Sequence, residues 1–153
     1  QKIIYFALPT EQRKMFYHPY YYGPYCEEVQ QATSTLLKNK ILKRDGKGFS
    51  VSKKWGTVAA DNDQVMERMR IEAQFLAKHG LTTTDNIAQL AKVHLLSHTK
   101  REDAKKDLPA YIQSQARFLG WKELARTNTQ DIKEYLDFAK KLEKEPAPLG
   151  EAA

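Results

Sequence analysis

Residues 41–52, "ILKRDGKGFSVS", constrain the fold more than any other stretch, because they interrupt an otherwise helical period. Before them, inward-type positions recur at Val29, Ala32, Thr33, Leu36 and Leu37, which is the spacing of one helix face over Cys26–Lys40. After it, Ile41 to Arg44 and Phe49 to Ser52 read as two short strands joined by "DGKG", a turn that suits a tight reversal. A helix that runs straight into a basic hairpin is the final half of a winged helix-turn-helix. The expected fold is mainly α: a winged-helix-like N-terminal segment with a short β-hairpin, followed by a C-terminal helical bundle.

The remaining segments fill in that plan. "QKIIYFAL" is apolar and stops at Pro9, the pattern of a buried helix tail, and Gln1 stands inside that pattern, so residues upstream of it are expected. "PTEQRKMFYHP" reads as a polar turn or short helical piece. Glu27 and Glu28 open the 26–40 helix where the macrodipole favours acids, and Gly23 and Pro24 punctuate its entry. Asp61 to His79 predicts a helix with Val65, Met66, Met69, Ala73 and Leu76 inward, ended by Gly80. "TTTDNIAQLAKVHLL" predicts one continuous capped helix with Ile87, Leu90, Ala91, His94 and Leu95 inward. Pro109 starts a helix burying Tyr111, Ile112, Gln115, Ala116 and Leu119. A last one, Thr129 to Lys144, buries Ile132, Tyr135, Leu136, Ala139 and Leu142. The division expected is a winged-helix-like segment over 1–56, a helical segment packed on it over 57–145, and a flexible tail over 146–153.

Charge narrows the partners. The 153 residues carry a net charge of +6, which favours polyanionic or acidic partners over basic ones. No apolar run approaches ~18 residues and no signal-peptide pattern is present, so no membrane association is expected. A single cysteine, Cys26, rules out an internal disulfide and fits a cytoplasmic setting.

Three groups of residues carry candidate chemistry. With the apolar stripe inward, ~100° steps place Gln30, Gln31, Ser34, Thr35 and Lys38 on or beside the outer face of the 26–40 helix, types that pair with base edges or phosphates. The same face could equally be an ordinary solvated one. Lys43, Arg44, Lys47 and Lys53 make the hairpin basic, which suits phosphate contact and also suits a strand edge protected against pairing with other chains. Around the turn, "YHPYYYGPYCEEV" packs five tyrosines. Such rings with hydroxyls suit half-wet corners, so they set the angle of the next helix or offer a partner surface, with Tyr20, Tyr21, Tyr22 and Tyr25 the candidates. Gly23 is expected to permit a backbone geometry or close approach that a side chain would block.

Other motifs point to no chemistry. His94 and His98 stand at an i, i+4 spacing that could hold a metal, but Leu95 replaces the glutamate of the zincin pattern and His94 falls on the apolar stripe. No metal or other cofactor is expected from this pattern. Cys26 has only His18 near it in sequence, beside two acids that discourage a thiolate, and no glycine-rich phosphate loop occurs. The expectation is a non-enzymatic protein.

"KIIYFAL", "YYYGPY" and "EEVQQATSTLLKNKILKR" together resemble the Panacea-domain proteins, the SocA-like antitoxins, at Ile3 to Ala7, Tyr22-Gly23-Pro24, Val29, Leu36, Leu37, Ile41 and Leu42. The resemblance covers about a third of the chain. It implies a helical, winged-helix-like module used in regulation or protein contact. The functional expectation is thus a transcriptional regulator binding double-stranded DNA, with the C-terminal helices binding a protein partner or forming a homodimer. The alternative is an antitoxin-like or adaptor interaction module without DNA binding.

Overall fold

The computed structural model describes residues 1–8, 10–46, 48–52, 63–99 and 101–144, without the side chains of 63–66. The chain is mainly α. Its order is α1 (Lys2–Ala7), α2 (Thr10–Phe16), β1 (His18–Tyr20), β2 (Gly23–Tyr25), α3 (Glu27–Lys38), β3 (Leu42–Asp45), β4 (Gly48–Val51), α4 (Asp63–Lys78), α5 (Thr84–Ser97), α6 (Glu102–Lys106), α7 (Leu108–Phe118), α8 (Lys122–Arg126) and α9 (Thr129–Lys144). The tail 146–153 lies outside the described residues.

α5 is the axle. Thr83 caps it, its side chain accepting from the Asn86 amide, and Gln89, Leu90, Ala91, Lys92, Val93 and His94 are all buried. A run of six consecutive buried residues wraps the whole helix circumference, so neighbours must pack on every side. On one side lie Tyr5 and Phe6 of α1, Tyr17, Cys26, Phe75 and Leu76 of α4, Leu81, and Ala139 and Leu142 of α9. On the other lie Ile112 and Ala116 of α7, Trp121, Leu124 of α8, and Ile132 and Leu136 of α9. The N-terminal residues therefore share one apolar core with α4, α5 and α9.

Several inward faces differ from the spacing-based expectation. Ala73 of α4 is exposed, whereas Glu72 and Phe75 are buried beside Leu76. The reason is a polar pair: Arg68 Nε donates to Glu72 Oε1 at 2.9 Å and Arg68 NH2 donates to the Leu142 carbonyl at 3.0 Å, which ties α4 to α9. A carboxylate was thus buried at a position that periodicity assigned to solvent. Tyr135 is half-buried, and two five-residue helices, α6 and α8, stand where no helix was expected.

Burial pushes the Glu72 carboxyl up from 4.5 to about 7, against the opposing pull of Arg68. Between those two values the folded chain holds a proton that the unfolded chain has released. Stability is therefore expected to fall as pH rises from about 4.5 through 7, and to level off above. Glu72→Gln should flatten that part of the curve in urea titrations at pH 5 and 8; an unchanged slope would contradict the assignment.

Candidate nucleic-acid interface

Two hairpins and a helix form the outer end of the N-terminal segment. Where a turn was expected, residues 18–25 form an antiparallel pair, with His18 opposite Tyr25, Pro19 opposite Pro24 and Tyr20 opposite Gly23. Its backbone is fixed from behind. Gly23 has φ +106°, and a Cβ there would lie 3.0 Å from Lys92 Cγ. Trp121 Nε1 donates to the Tyr20 carbonyl at 2.7 Å, while the Lys92 ammonium sits 5.5 Å from the Trp121 ring centre. The framework role expected of this corner falls on Gly23, buried Pro24, the Tyr20 carbonyl and buried Tyr17.

The other rings face outward. Tyr20, Tyr21 and Tyr22 are 49%, 73% and 78% exposed, so they cannot act as a packed wedge. Tyr25 is half-buried. Tyr20 lies between Tyr21 and Tyr25, each 4.8 Å away between ring centres, and His18 extends the row at 5.6 Å from Tyr25. The His18–Tyr25 and Tyr20–Tyr25 contacts cross the strand pair, the kind of ring packing that stabilises a short hairpin.

α3 starts from this corner. Cys26 is its N-cap residue, and the Gln1 side chain pairs with both backbone groups of Cys26, accepting from its amide at 3.1 Å and donating to its carbonyl at 3.2 Å. The Cys26 thiol is buried and donates to Glu28 Oε2 at 3.1 Å; burial pushes its pKa up, which is the wrong direction for a nucleophile. The helix ends in a Schellman turn: Lys40 N–H reaches the Leu37 carbonyl at 3.0 Å and Ile41 N–H reaches that of Leu36 at 2.9 Å. Lys40 takes the left-handed position, φ 58°, that glycine usually fills. The turn delivers the chain into β3 with no slack.

No residue of α3 is buried. Val29, Leu36 and Leu37 are half-buried, and Ala32, expected inward, is exposed. Gln30, Gln31, Ser34, Thr35 and Lys38 are all exposed and share roughly 140° of the helix surface at ~100° per residue. Among the described residues their side chains donate only locally, Gln31 to Glu27 at 3.5 Å and Thr35 to the Gln31 carbonyl at 3.0 Å. Glu27 stands within the same arc.

The expected basic hairpin forms, with Lys43 opposite Ser50 and Arg44 opposite Phe49. Both cations are exposed. Alternation along the strand puts them on opposite faces, so they do not form one patch, and the Arg44 guanidinium lies 5.5 Å from the Phe49 ring centre. Lys47 and Lys53 lie outside the described residues. The contributions of Lys92 and Trp121 to holding the corner were not visible in the sequence, because both lie far along the chain. No protein-family model, curated protein or solved structure matches the chain.

Gly23→Ala should lower stability by about 1–3 kcal/mol in chemical denaturation, through backbone strain and the Lys92 contact. Hydrogen exchange should accelerate in residues 18–25. A neutral substitution would mean that Lys92 yields freely and the corner is not fixed from behind.

Proposed function

We propose that the chain is a winged-helix-like regulator that binds double-stranded DNA, with α3 toward a groove and the β3–β4 hairpin along the phosphates. The observation that supports this most is the open polar arc of α3. Gln30, Gln31, Ser34, Thr35 and Lys38 present donors and acceptors on a helix whose surface stays largely uncovered. Gln pairs bidentately with adenine, Ser and Thr adapt to several base edges, and Glu27 can accept from the cytosine amino group. Lys38, Lys43 and Arg44, all exposed, supply the phosphate contacts, with Lys43 and Arg44 reaching different strands because they leave opposite faces of β3. The net charge of +6 favours the encounter.

With three phosphate contacts, affinity for a random-sequence duplex should fall with a logarithmic salt slope of about −2.7, or roughly 40-fold between 50 and 200 mM salt. Fluorescence anisotropy reads this directly. The double variant Lys43→Glu, Arg44→Glu should abolish binding at 50 mM salt. If unaltered protein gives no anisotropy change there, the DNA reading is lost.

The ring row of His18, half-buried Tyr25, Tyr20 and Tyr21 favours a second reading, an adaptor or antitoxin-like module that holds a protein partner without DNA. Under it, Tyr21→Ala with Tyr22→Ala should weaken co-purification of one defined acidic protein at least tenfold while the fold is unchanged by circular dichroism. Equal recovery from the variant and the unaltered chain would remove that reading.

A further inference from the structure

α5 and α9 bring together three side chains that the proposed interface does not use. His94 projects from the last turn of α5 and His98 is the residue that caps its C-terminus, while Glu143 reaches them from the last turn of α9. Glu143 Oε1 lies 2.7 Å from His94 Nε2 and 3.3 Å from His98 Nε2, and the two Nε2 atoms are 3.1 Å apart. Among the described residues this is the one group of three such side chains whose ligand atoms converge. We propose that it is a zinc site, with His94 Nε2, His98 Nε2 and Glu143 Oε1 as the protein ligands.

Geometry is the first support. Zinc bonds of about 2.0–2.1 Å in a tetrahedral arrangement place ligand atoms about 3.3–3.4 Å apart. One edge of the triangle already has that length, the edge between the two imidazoles needs to open by about 0.2–0.3 Å and the His94–Glu143 edge by about 0.6–0.7 Å. His94 is buried and its ring is held by α1, whereas His98 and Glu143 are partly open to solvent and free to adjust. The cluster adjoins a cavity of about 260 Å³ between α1, α2 and α5, bordered by Thr10, Arg13 and Lys14, which gives a fourth position access to water.

Proton accounting is the second. His94 Nε2 faces Glu143 Oε1, which as a carboxylate only accepts, and Arg13 NH1 at 3.1 Å, which only donates. With a proton on Nε2, the Arg13 contact has the wrong sign. Without it, the Glu143 contact does. A zinc ion among the three ligands takes both nitrogen lone pairs and the carboxylate at once. The proton then sits on His94 Nδ1 and is donated to Tyr5 Oη at 2.6 Å, the kind of outer contact that orients a ligating imidazole.

Arg13 opposes the ion by charge. It is anchored independently, through Nε donating to the Leu8 carbonyl at 2.6 Å, so NH1 can leave His94 without releasing the side chain. Arg13 therefore sets the affinity. Leu95 occupies the place where zinc proteases of the i, i+4 histidine type carry their general base, so the role assigned is a staple between α5 and α9, not hydrolysis. Two imidazoles also select against magnesium and calcium, which prefer oxygen.

The test is titration of zinc into metal-free full-length chain, followed by calorimetry and thermal unfolding, with magnesium as control. One equivalent should bind with micromolar or tighter affinity and raise the unfolding temperature, and magnesium should do neither. His98→Ala and Glu143→Gln, both at partly exposed positions that tolerate change, should each weaken binding at least tenfold. Arg13→Gln should tighten it at least tenfold. No heat and no thermal shift at 100 µM zinc would overturn the proposal (about 100 µM being a weak-binding ceiling on the affinity scale). So would binding that survives both ligand substitutions, since the ion would then sit elsewhere.

Discussion

Enclosure of the middle of α5, residues 89–94, on every side is the constraint from which the rest of the structure follows. A helix buried on all sides cannot leave a polar side chain unpaired without a penalty of several kcal/mol, on the order of that for burying an unbonded amide. Gln89, Lys92 and His94 each find a different neighbour, with Gln89 Oε1 left buried and without a hydrogen-bond partner among the described residues. Gln89 donates to Glu123 of α8 at 2.8 Å, Lys92 lies over Trp121, and His94 bonds Tyr5 of α1 and Glu143 of α9. The polar residues of the most buried helix are therefore the connectors among α1, α8 and α9. Burial and connectivity here are one arrangement. Burial lowers the Lys92 and His94 pKa values, consistent with groups held for their contacts more than for charge.

That arrangement explains how a poorly covered helix stays in place. A 12-residue helix is marginal alone, and α3 has no fully buried side chain, only half-buried Val29, Leu36 and Leu37, to offset its ordering entropy. It is held at its ends instead. At the start, Lys92 and Trp121 fix the β1–β2 corner, and Gln1 clamps the Cys26 backbone. At the finish, the Schellman turn through Lys40 joins it to β3, and Ser52 N–H returns to the Ile41 carbonyl at 2.8 Å. Fixing a helix by its termini leaves its length available. The price is local strain at Lys40, whose side chain occupies a left-handed position that costs about 1 kcal/mol relative to glycine.

Legibility in the sequence tracked how far each feature depends on distant residues. α9 matched its expected span, Thr129–Lys144, because an unbroken apolar stripe faces one continuous wall. The β3–β4 hairpin was visible for a local reason too, its "DGKG" turn. The inward face of α4 was misread because the Arg68–Glu72 pair buries a carboxylate that periodicity assigns to solvent. Ala32 was misread for the opposite reason: the stripe is apolar, yet that part of α3 is not covered. β1 and β2 have three residues each, including two prolines and a glycine, too few for alternation to register. The outer positions of α3 followed from helix geometry alone. Glu143 falls on the same face of α9 as Ile132, Leu136 and Ala139, so a carboxylate on an apolar stripe was its only local signal, and its partner His94 lies 49 residues away.

The distribution of charge along α3 bears on how such a helix would meet a duplex. Glu27 and Glu28 occupy the first turn and Lys38 the last, so the helix is polarised from an acidic start to a basic finish. Recognition helices commonly lead with their N-terminal residues into the major groove. Here that approach would carry Glu27 past the phosphates on the way in. A pose led by the C-terminal half avoids this, because it brings Lys38 and β3, whose two cations leave from opposite faces, toward the backbone in place of the acids. The same pose moves the tyrosine row at the start of α3 away from the duplex and leaves it open to a second macromolecule. In the DNA-binding reading the two surfaces are thus ends of one helix, divided by the sign of its charge.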